Sequence, residues 1–320
     1  VSGAFDLVGD LGGTRIRLAL ARPGAEGREL VSPWSGLCGD YESPEAAIGA
    51  YLAEARPASP PRRVVLAVAG PVEGGAVAFT NSGWRVSEAG LRAAGFAAAR
   101  LINDFAAVAL AAPGLGEADL RRIGEAPPAP HEDVGLVVGP GTGFGVAGFV
   151  RVEGRWRALP GEGGHVGFAP ADVVEVAVLE RLVARFGRVS VERLLSGPGL
   201  AHLHVALAEI EGRTREPLTP AEITSRASAG DARCAATVER FGAILGSVAG
   251  DLALAFGARA GVFVGGGVTL TVADALASGP FRARFEAKGR LRGYMAAIPT
   301  ALIVQPLAPL HGAAAALDDL

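Results

Sequence analysis

The sequence predicts an α/β protein of about two domains, built twice on one design, and three observations carry that prediction. A short apolar strand, a glycine turn and an alternating strand follow one another in FDLVGDLGGTRIRLALA, residues 5–21. The same strand, turn and strand return in GLVVGPGTGFGVAGFV, residues 135–150, and such self-similarity marks a duplicated architecture. In LINDF, residues 101–105, an apolar run stops at Asp104 and gives way to the helix-favouring FAAVALAA. A charged residue at that junction faces the crevice at the carboxyl end of the strand, where open α/β sheets bind ligands. With 320 residues, half of them hydrophobic, each domain can bury a core of its own.

Taken in order, the first strand ends at Asp10 and the second begins after LGGT. Gly12 and Gly13 strip side chains from the turn, so backbone N–H groups and the Thr14 hydroxyl can approach a phosphate, and Asp10 can hold a hydrated cation. The plain alternative is a hairpin turn and nothing more. Ser43, Pro44 and Glu45 start a helix with an N-cap serine and a first-position proline, running through AAIGAYLAEA. VVLAVAGP is a strand from Val64 broken by Gly70 and Pro71, and GAVAFTN follows it to Thr80 and Asn81, ahead of Trp84. Pro113 to Gly116 is a hinge candidate and APPAP, residues 126–130, a surface loop before the second half.

When the second hairpin is laid on the first, Gly139 matches Gly9 and Pro140 falls on Asp10, leaving Gly141, Thr142 and Gly143 at the tip. GPGTGFG is not a dinucleotide fingerprint, because Phe144 and Val146 stand where GxGxxG needs glycine or a small residue. Thr219, Pro220 and Glu222 form a capping box. Residues 236–256 read as one long helix whose Gly242, Gly246 and Gly250 share a face suited to close packing. The strand GVFV then leads into Gly265, Gly266 and Gly267, bare backbone against which an adenine or ribose can lie.

Composition removes several functions. The 30 basic and 33 acidic residues give a net charge of −3, which leaves no electrostatic footprint for nucleic acid. No apolar run is long enough to cross a membrane, since residues 243–258 are interrupted by Asp251, and no basic-then-apolar leader opens the chain. The expectation is a soluble, cytoplasmic protein without membrane partners. Cys38 and Cys234 are too few for a disulfide framework. Lys288 is the only lysine and no glycine-rich loop precedes it, which excludes a Walker A site and a VAIK strand.

Asp104 has two readings at this stage, as an acid facing a ligand crevice or, like Asn103, as a cap of the next helix. Other polar residues bear on the choice. Glu162 and His165 lie in LPGEGGHVGFAP, residues 159–170, with no other charge nearby. Zinc is a rival ligand, but His131, His202, His204 and His311 show no matching spacing. A hydroxyl-rich ligand suits these side chains better, since a carboxylate accepts two hydrogen bonds and a neutral imidazole donates one. Glu192, in RVSVERLLSGPG, is a further acceptor or an ordinary helix-start glutamate.

The segments LVGDLGGTRIRLAL, FTNSGW, LINDFAAVAL, GPGTGFGVA, LPGEGGHVGFAP, VERLLSGPGL and FVGGGV resemble, in this order and at these spacings, the bacterial ATP-dependent glucokinase family. That family belongs to the superfamily of hexokinases, acetate kinase, heat-shock ATPases and actin. The resemblance implies a two-domain actin-like ATPase (ribonuclease H-like) fold with a cleft between a small α/β domain and a larger one. Residues 1–114 would form the small domain, completed by the C-terminal helix 301–320, and residues 115–300 the large one. It implies transfer of the γ-phosphoryl group of ATP to the 6-hydroxyl of glucose with Mg2+, the first step of glycolysis, and often a homodimer. It also implies that Asp104 is the base, that Asn103, Asp104, Glu162, His165 and Glu192 hold the sugar hydroxyls, and that the glycine hairpins hold ATP. Arg15 and Gly167 depart from the family, which usually has asparagine and aspartate there. The cysteine cluster of the related repressor and sugar-kinase family is absent downstream of His165, where only Cys234 occurs. A kinase of another hexose and a non-catalytic nucleotide-operated binding protein are the alternatives. The second would have no need of Asn103, Glu162, His165 and Glu192 together.

Overall fold

The computed structural model describes residues 5–24, 27–79, 83–125 and 132–320. Thr80, Asn81 and Ser82 of FTNSGW, the APPAP loop and His131 lie outside the described residues. The chain divides into two units, one of Val1–Leu115 with Pro306–Leu320 and one of Gly116–Gln305.

In the first unit, β1 (Asp6–Leu11) turns at Gly12 and Gly13 into β2 (Arg15–Gly24), which pairs antiparallel with β3 (Gly27–Leu37). The helix α1 (Pro44–Ala55) starts where Ser43 Oγ accepts from Ala46 N and Pro44 presets the first turn. It is followed by β4 (Arg63–Val68), a short hairpin of β5 (Ala76–Ala78) and β6 (Arg85–Ser87), α2 (Glu88–Ala93), β7 (Ala98–Asn103) and α3 (Asp104–Ala111). β4 and β7 run parallel to β1, giving the order β3-β2-β1-β4-β7. Both faces of this sheet are covered, which is why β1 and β4 read as nearly unbroken apolar runs. Leu7 and Leu66 pack on one side with Tyr51 and Leu91, while Val8 and Val65 pack on the other with Ala107 and Leu310.

The second unit opens with β8 (Leu120–Arg122) and continues with a meander of β9 (Val134–Pro140), β10 (Phe144–Val152) and β11 (Arg155–Gly161). Four helices follow: α4 (Val173–Phe186), α5 (Gly197–Ile210), α6 (Pro220–Ser228) and α7 (Ala232–Phe256). The capping box at Thr219 and Glu222 starts α6. Next come β12 (Gly261–Val264), the short helices α8 (Gly267–Thr271), α9 (Ala273–Ser278), α10 (Phe281–Glu286) and α11 (Arg292–Ala296), and β13 (Thr300–Ile303). The order β11-β10-β9-β12-β13-β8 repeats that of the first sheet with one edge strand added. Gly246 and Gly250 on α7 let the backbone of α10 come close, since a Cβ at either would meet the carbonyl of Phe281 or Phe285. The core of this unit is built around Phe241, Leu245, Leu200 and Val138.

β13 pairs with β12, so the C-terminal segment joins the first unit from Pro306 and not from residue 301. The last helix, α12 (Ala308–Ala316), lies against α3, where Gly312 leaves no room for a Cβ beside the Ala107 carbonyl. Asp6 accepts from both Arg28 and Arg63, and Arg28 continues to Asp318, fastening the chain end to the sheet.

Candidate active site

In the first unit the hairpin register sets Asp10 directly opposite Arg17, and Arg17 Nη1 donates to Asp10 Oδ2 at 2.8 Å. Burial pushes the Asp10 carboxyl above its usual range, with the Arg17 charge opposing that shift. Asp10 thus already has one cationic partner, the Arg17 guanidinium. At the tip, Gly12 N donates to Arg15 O at 2.9 Å, while the N–H groups of Gly13 and Thr14 have no hydrogen bond among the described residues. Those two N–H groups are the ones an anion can use.

At the end of β7, the Asn103 side chain does cap α3. Its Oδ1 accepts from Phe105 N at 2.9 Å and Ala106 N at 3.1 Å, and its Nδ2 donates to Gly70 O at 3.3 Å. One Nδ2 hydrogen remains for a ligand. Asp104 begins the helix, half-buried, with Oδ1 accepting from Phe105 N at 2.9 Å. A carboxylate on the first turn of a helix is favoured by the helix dipole.

In the second unit, the tip of the β9–β10 hairpin is tied into the helices. Gly141 N donates to Gly143 O, and Gly141 O accepts from Gly197 N, each at 2.8 Å. Glu192 lies on the short 3-10 turn Val191–Arg193, and its Oε2 accepts from Phe144 N at 3.0 Å. A Cβ at Gly143 would overlap that same oxygen, so this glycine makes room for the carboxylate. Glu162 and His165 bracket the 3-10 turn Gly163–His165, both exposed. Gly164 is what allows this turn to press on β10, since a Cβ there would overlap the Phe144 carbonyl. The segment then runs beside residues 188–191: Val191 N donates to Val166 O at 2.9 Å, and Phe168 N to Val189 O at 3.1 Å. Glu162, His165 and Glu192 are therefore carried by segments laced to one another.

The glycine run after β12 forms the third part. Gly265 N donates to Val138 O at 2.8 Å, Gly266 has φ +91° with no room for a Cβ beside Pro140 O, and Gly267 is exposed with open space around it. Only glycine takes that φ without strain while lying so close to another backbone. α6 and α8 line a cavity of about 530 Å³, with Thr224 and Ser228 on one side and Leu270 and Thr271 on the other.

Sequence reasoning missed several participants. Arg17 pairs with Asp10. Arg188 Nη2 donates to His165 O at 2.6 Å and holds that residue in place. Ser196 caps α5 by accepting from Gly199 N, while its Oγ donates to Glu192 O at 2.8 Å. Asp172 and the buried Glu175 pair with Arg240 and Arg284, anchoring the segment that follows His165. The motif ERLLSGPG was a signal for Ser196, but nothing local announces Arg188. Lys288 donates to Asp251 at 2.6 Å and to Ser247 O at 2.8 Å, so the sole lysine serves packing. Among the described residues no group of three metal-ligating side chains comes together. No helix among them is long and apolar enough to cross a membrane. Both cysteines are buried free thiols.

A family model described as glucokinase matches residues 7–320. The glucokinase of Caulobacter sp. strain K31 is 54% identical over 312 residues, covering 97% of this chain and 94% of its own length. The glucokinase of Nitrobacter hamburgensis is 44% identical over 97% of this chain and 96% of its own length. The crystal structure of a glucokinase from an Antarctic psychrotroph superposes with a TM-score of 0.90 at 37% identity, covering 100% of both chains. A glucokinase of the repressor and sugar-kinase (ROK) family from Streptomyces griseus, solved with glucose and AMPPNP, matches with a TM-score of 0.64 at 20% identity over 97% of this chain and 98% of its own, a likeness of fold alone. These likenesses give the chain the actin-like ATPase fold.

Proposed function

The chain belongs to the glucokinase family, and from that premise we propose which residues carry the reaction. The reaction is transfer of the γ-phosphoryl group of ATP to the 6-hydroxyl of glucose, giving glucose 6-phosphate and ADP. Asp104 is the base: it takes the proton of the 6-hydroxyl as that oxygen bonds to the γ-phosphorus and the bond to the bridging oxygen of ADP breaks. Its place on the first turn of α3, with Phe105 N on Oδ1, holds the carboxylate in one orientation. Glu162, His165 and Glu192 hold sugar hydroxyls away from the reacting oxygen, and Asn103 contributes its remaining Nδ2 hydrogen.

The nucleotide enters as its Mg2+ complex. The Gly13 and Thr14 N–H groups and the Thr142 hydroxyl meet its phosphates, with Gly12, Gly141 and Gly143 keeping the approach bare. Asp10 would hold the hydrated metal, which would offset negative charge on the phosphates. Gly265, Gly266 and Gly267, with the cavity between α6 and α8, take the adenosine. The protein works in the cytoplasm as a homodimer.

The observation that carries this reading is Glu192. One oxygen of its carboxylate accepts from the second phosphate hairpin, at Phe144 N, while the other is left for a sugar hydroxyl. Sugar binding and the phosphate hairpin are thereby joined through a single side chain. A coupled assay across hexoses and phosphoryl donors tests the reading. Glucose with ATP and a divalent cation gives the highest kcat/KM, and a better turnover with another hexose or donor overturns it.

A further inference from the structure

We propose that the groove between α4 and α5 is a second anion site, which takes a small phosphate monoester and relays its occupancy to the sugar-binding segments. The groove encloses about 760 Å³, the size of a small-molecule site. Arg181, Arg185 and Arg215 line it against one carboxylate, Glu209, which Arg215 approaches to 2.6 Å and Arg181 to 3.9 Å. Arg193 stands beside it: the Arg185 and Arg193 guanidiniums lie 5.0 and 4.5 Å from the centre of the Phe186 ring. Neither of these two has a carboxylate partner among the described residues.

The His202 ring packs at 4.9 Å from the same phenylalanine. Its imidazole is held below the usual histidine range, first by burial and then by the Arg185 and Arg193 charges. The groove thus carries more arginine than carboxylate, and Arg185 in its lining, like Arg193 beside it, is already stacked on Phe186. Stacked guanidiniums offer paired N–H donors that match phosphate oxygens and lose little freedom on binding. The whole chain carries net charge −3, so the excess is local and suits a small ligand better than a polymer.

Two contacts lead from the groove to the candidate sugar ligands. His202 Nδ1 lies 3.2 Å from the carbonyl of Arg193, the neighbour of Glu192. Arg188, just past the end of α4, grips the carbonyl of His165. An anion drawing Arg185, Arg193 and His202 together bears on the 3-10 turn that positions Glu192. This relay rests on the sugar roles proposed above, whereas the site itself does not.

The test follows the His202 imidazole by NMR in the full-length protein during titration with inorganic phosphate, glucose 6-phosphate and glycerol 3-phosphate. All three raise the pH at which His202 titrates, and one of the esters changes the glucose KM with kcat held. Tighter binding of glucose 6-phosphate marks product feedback, and tighter binding of the three-carbon ester marks control by a later product. Arg185→Gln weakens binding about tenfold or more, the loss of one hydrogen bond between charged groups, without changing basal activity. An unmoved His202 titration, or the same response in Arg185→Gln, overturns the site. A response to polyglutamate alone makes the groove a protein-docking surface and overturns the small-ligand assignment. Binding of the esters with an unchanged glucose KM overturns the relay and leaves the site standing.

Discussion

The two sheets share one order of strands, three antiparallel followed by two parallel, yet their acids stand at different places. In the first unit the acids sit on the frame itself: Asp10 is the last residue but one of β1 and Asp104 follows β7. At the matching places of the second unit stand Pro140 and the pair Val304 and Gln305, none of them acidic. There the carboxylates come from connecting segments, Glu162 after β11 and Glu192 ahead of α5, and Glu192 is steadied by the hairpin N–H of Phe144. The frame is common to both units, and the acids are not. In the roles proposed above, the first unit supplies the base Asp104 and the second the hydroxyl acceptors Glu162 and Glu192.

The sharpest break in that comparison comes at Asp104. Asp104→Asn lowers kcat by about 10² to 10⁴, the range for a positioned base, while glucose KM changes little because the amide still accepts hydrogen bonds. Steady-state kinetics decides this, and a variant with near-native turnover returns Asp104 to helix capping.

Substitutions in the second unit move the other constant. Glu162→Gln and Glu192→Gln each raise glucose KM about tenfold or more, as expected for one hydrogen bond to a charged group, with ATP KM changing much less. In Glu192→Gln the amide oxygen can still accept from Phe144 N, so the hairpin survives. Discrimination between glucose and its epimers weakens in both variants, because a hydroxyl-reading site rejects wrong isomers through its unpaired polar groups. Gly143→Ala sharpens the point: its Cβ displaces the Glu192 carboxylate and raises glucose KM together with ATP KM. A rise in ATP KM alone would restrict Gly143 to phosphate contact.

The smallest effect concerns stability. His202 and His204, both on α5, are held below the usual histidine value of 6.5, chiefly by burial. The folded chain keeps them neutral where the unfolded chain takes up protons, so their contribution is intact above pH 6.5 and declines as pH falls towards the depressed folded values. Tm therefore drops on acidification through this window. His204→Gln, which retains a partner for Thr237 Oγ1, flattens the slope. A wild-type Tm independent of pH across the window removes the second unit from this comparison.

Much of the frame was legible because its signals are local. Period-two alternation and paired glycines gave both hairpins, and Ser43 and Thr219 gave helix starts through hydrogen bonds that span three residues. The spacing of Gly242, Gly246 and Gly250 gave the packed face of α7. The junction at Asn103 was legible too, and the capping reading holds there. Asn103 caps the helix through Phe105 N and Ala106 N, and Asp104, one residue on, also accepts from Phe105 N.

By itself, then, the sequence determined the elements, the duplication and the residue types from which a site can be made, because backbone preferences and side-chain chemistry act over a few positions. Only the tertiary structure decided which of these meet. Glu192 is bonded to a residue 48 positions away, Lys288 reaches 37 positions back to Asp251, and Arg188 reaches 23 back to His165. The same structure set Arg17 on Asp10 by strand register and so changed what that acid can do. Such pairings follow from how packed helices and paired strands bring distant segments side by side, a property of the whole chain that no short window contains.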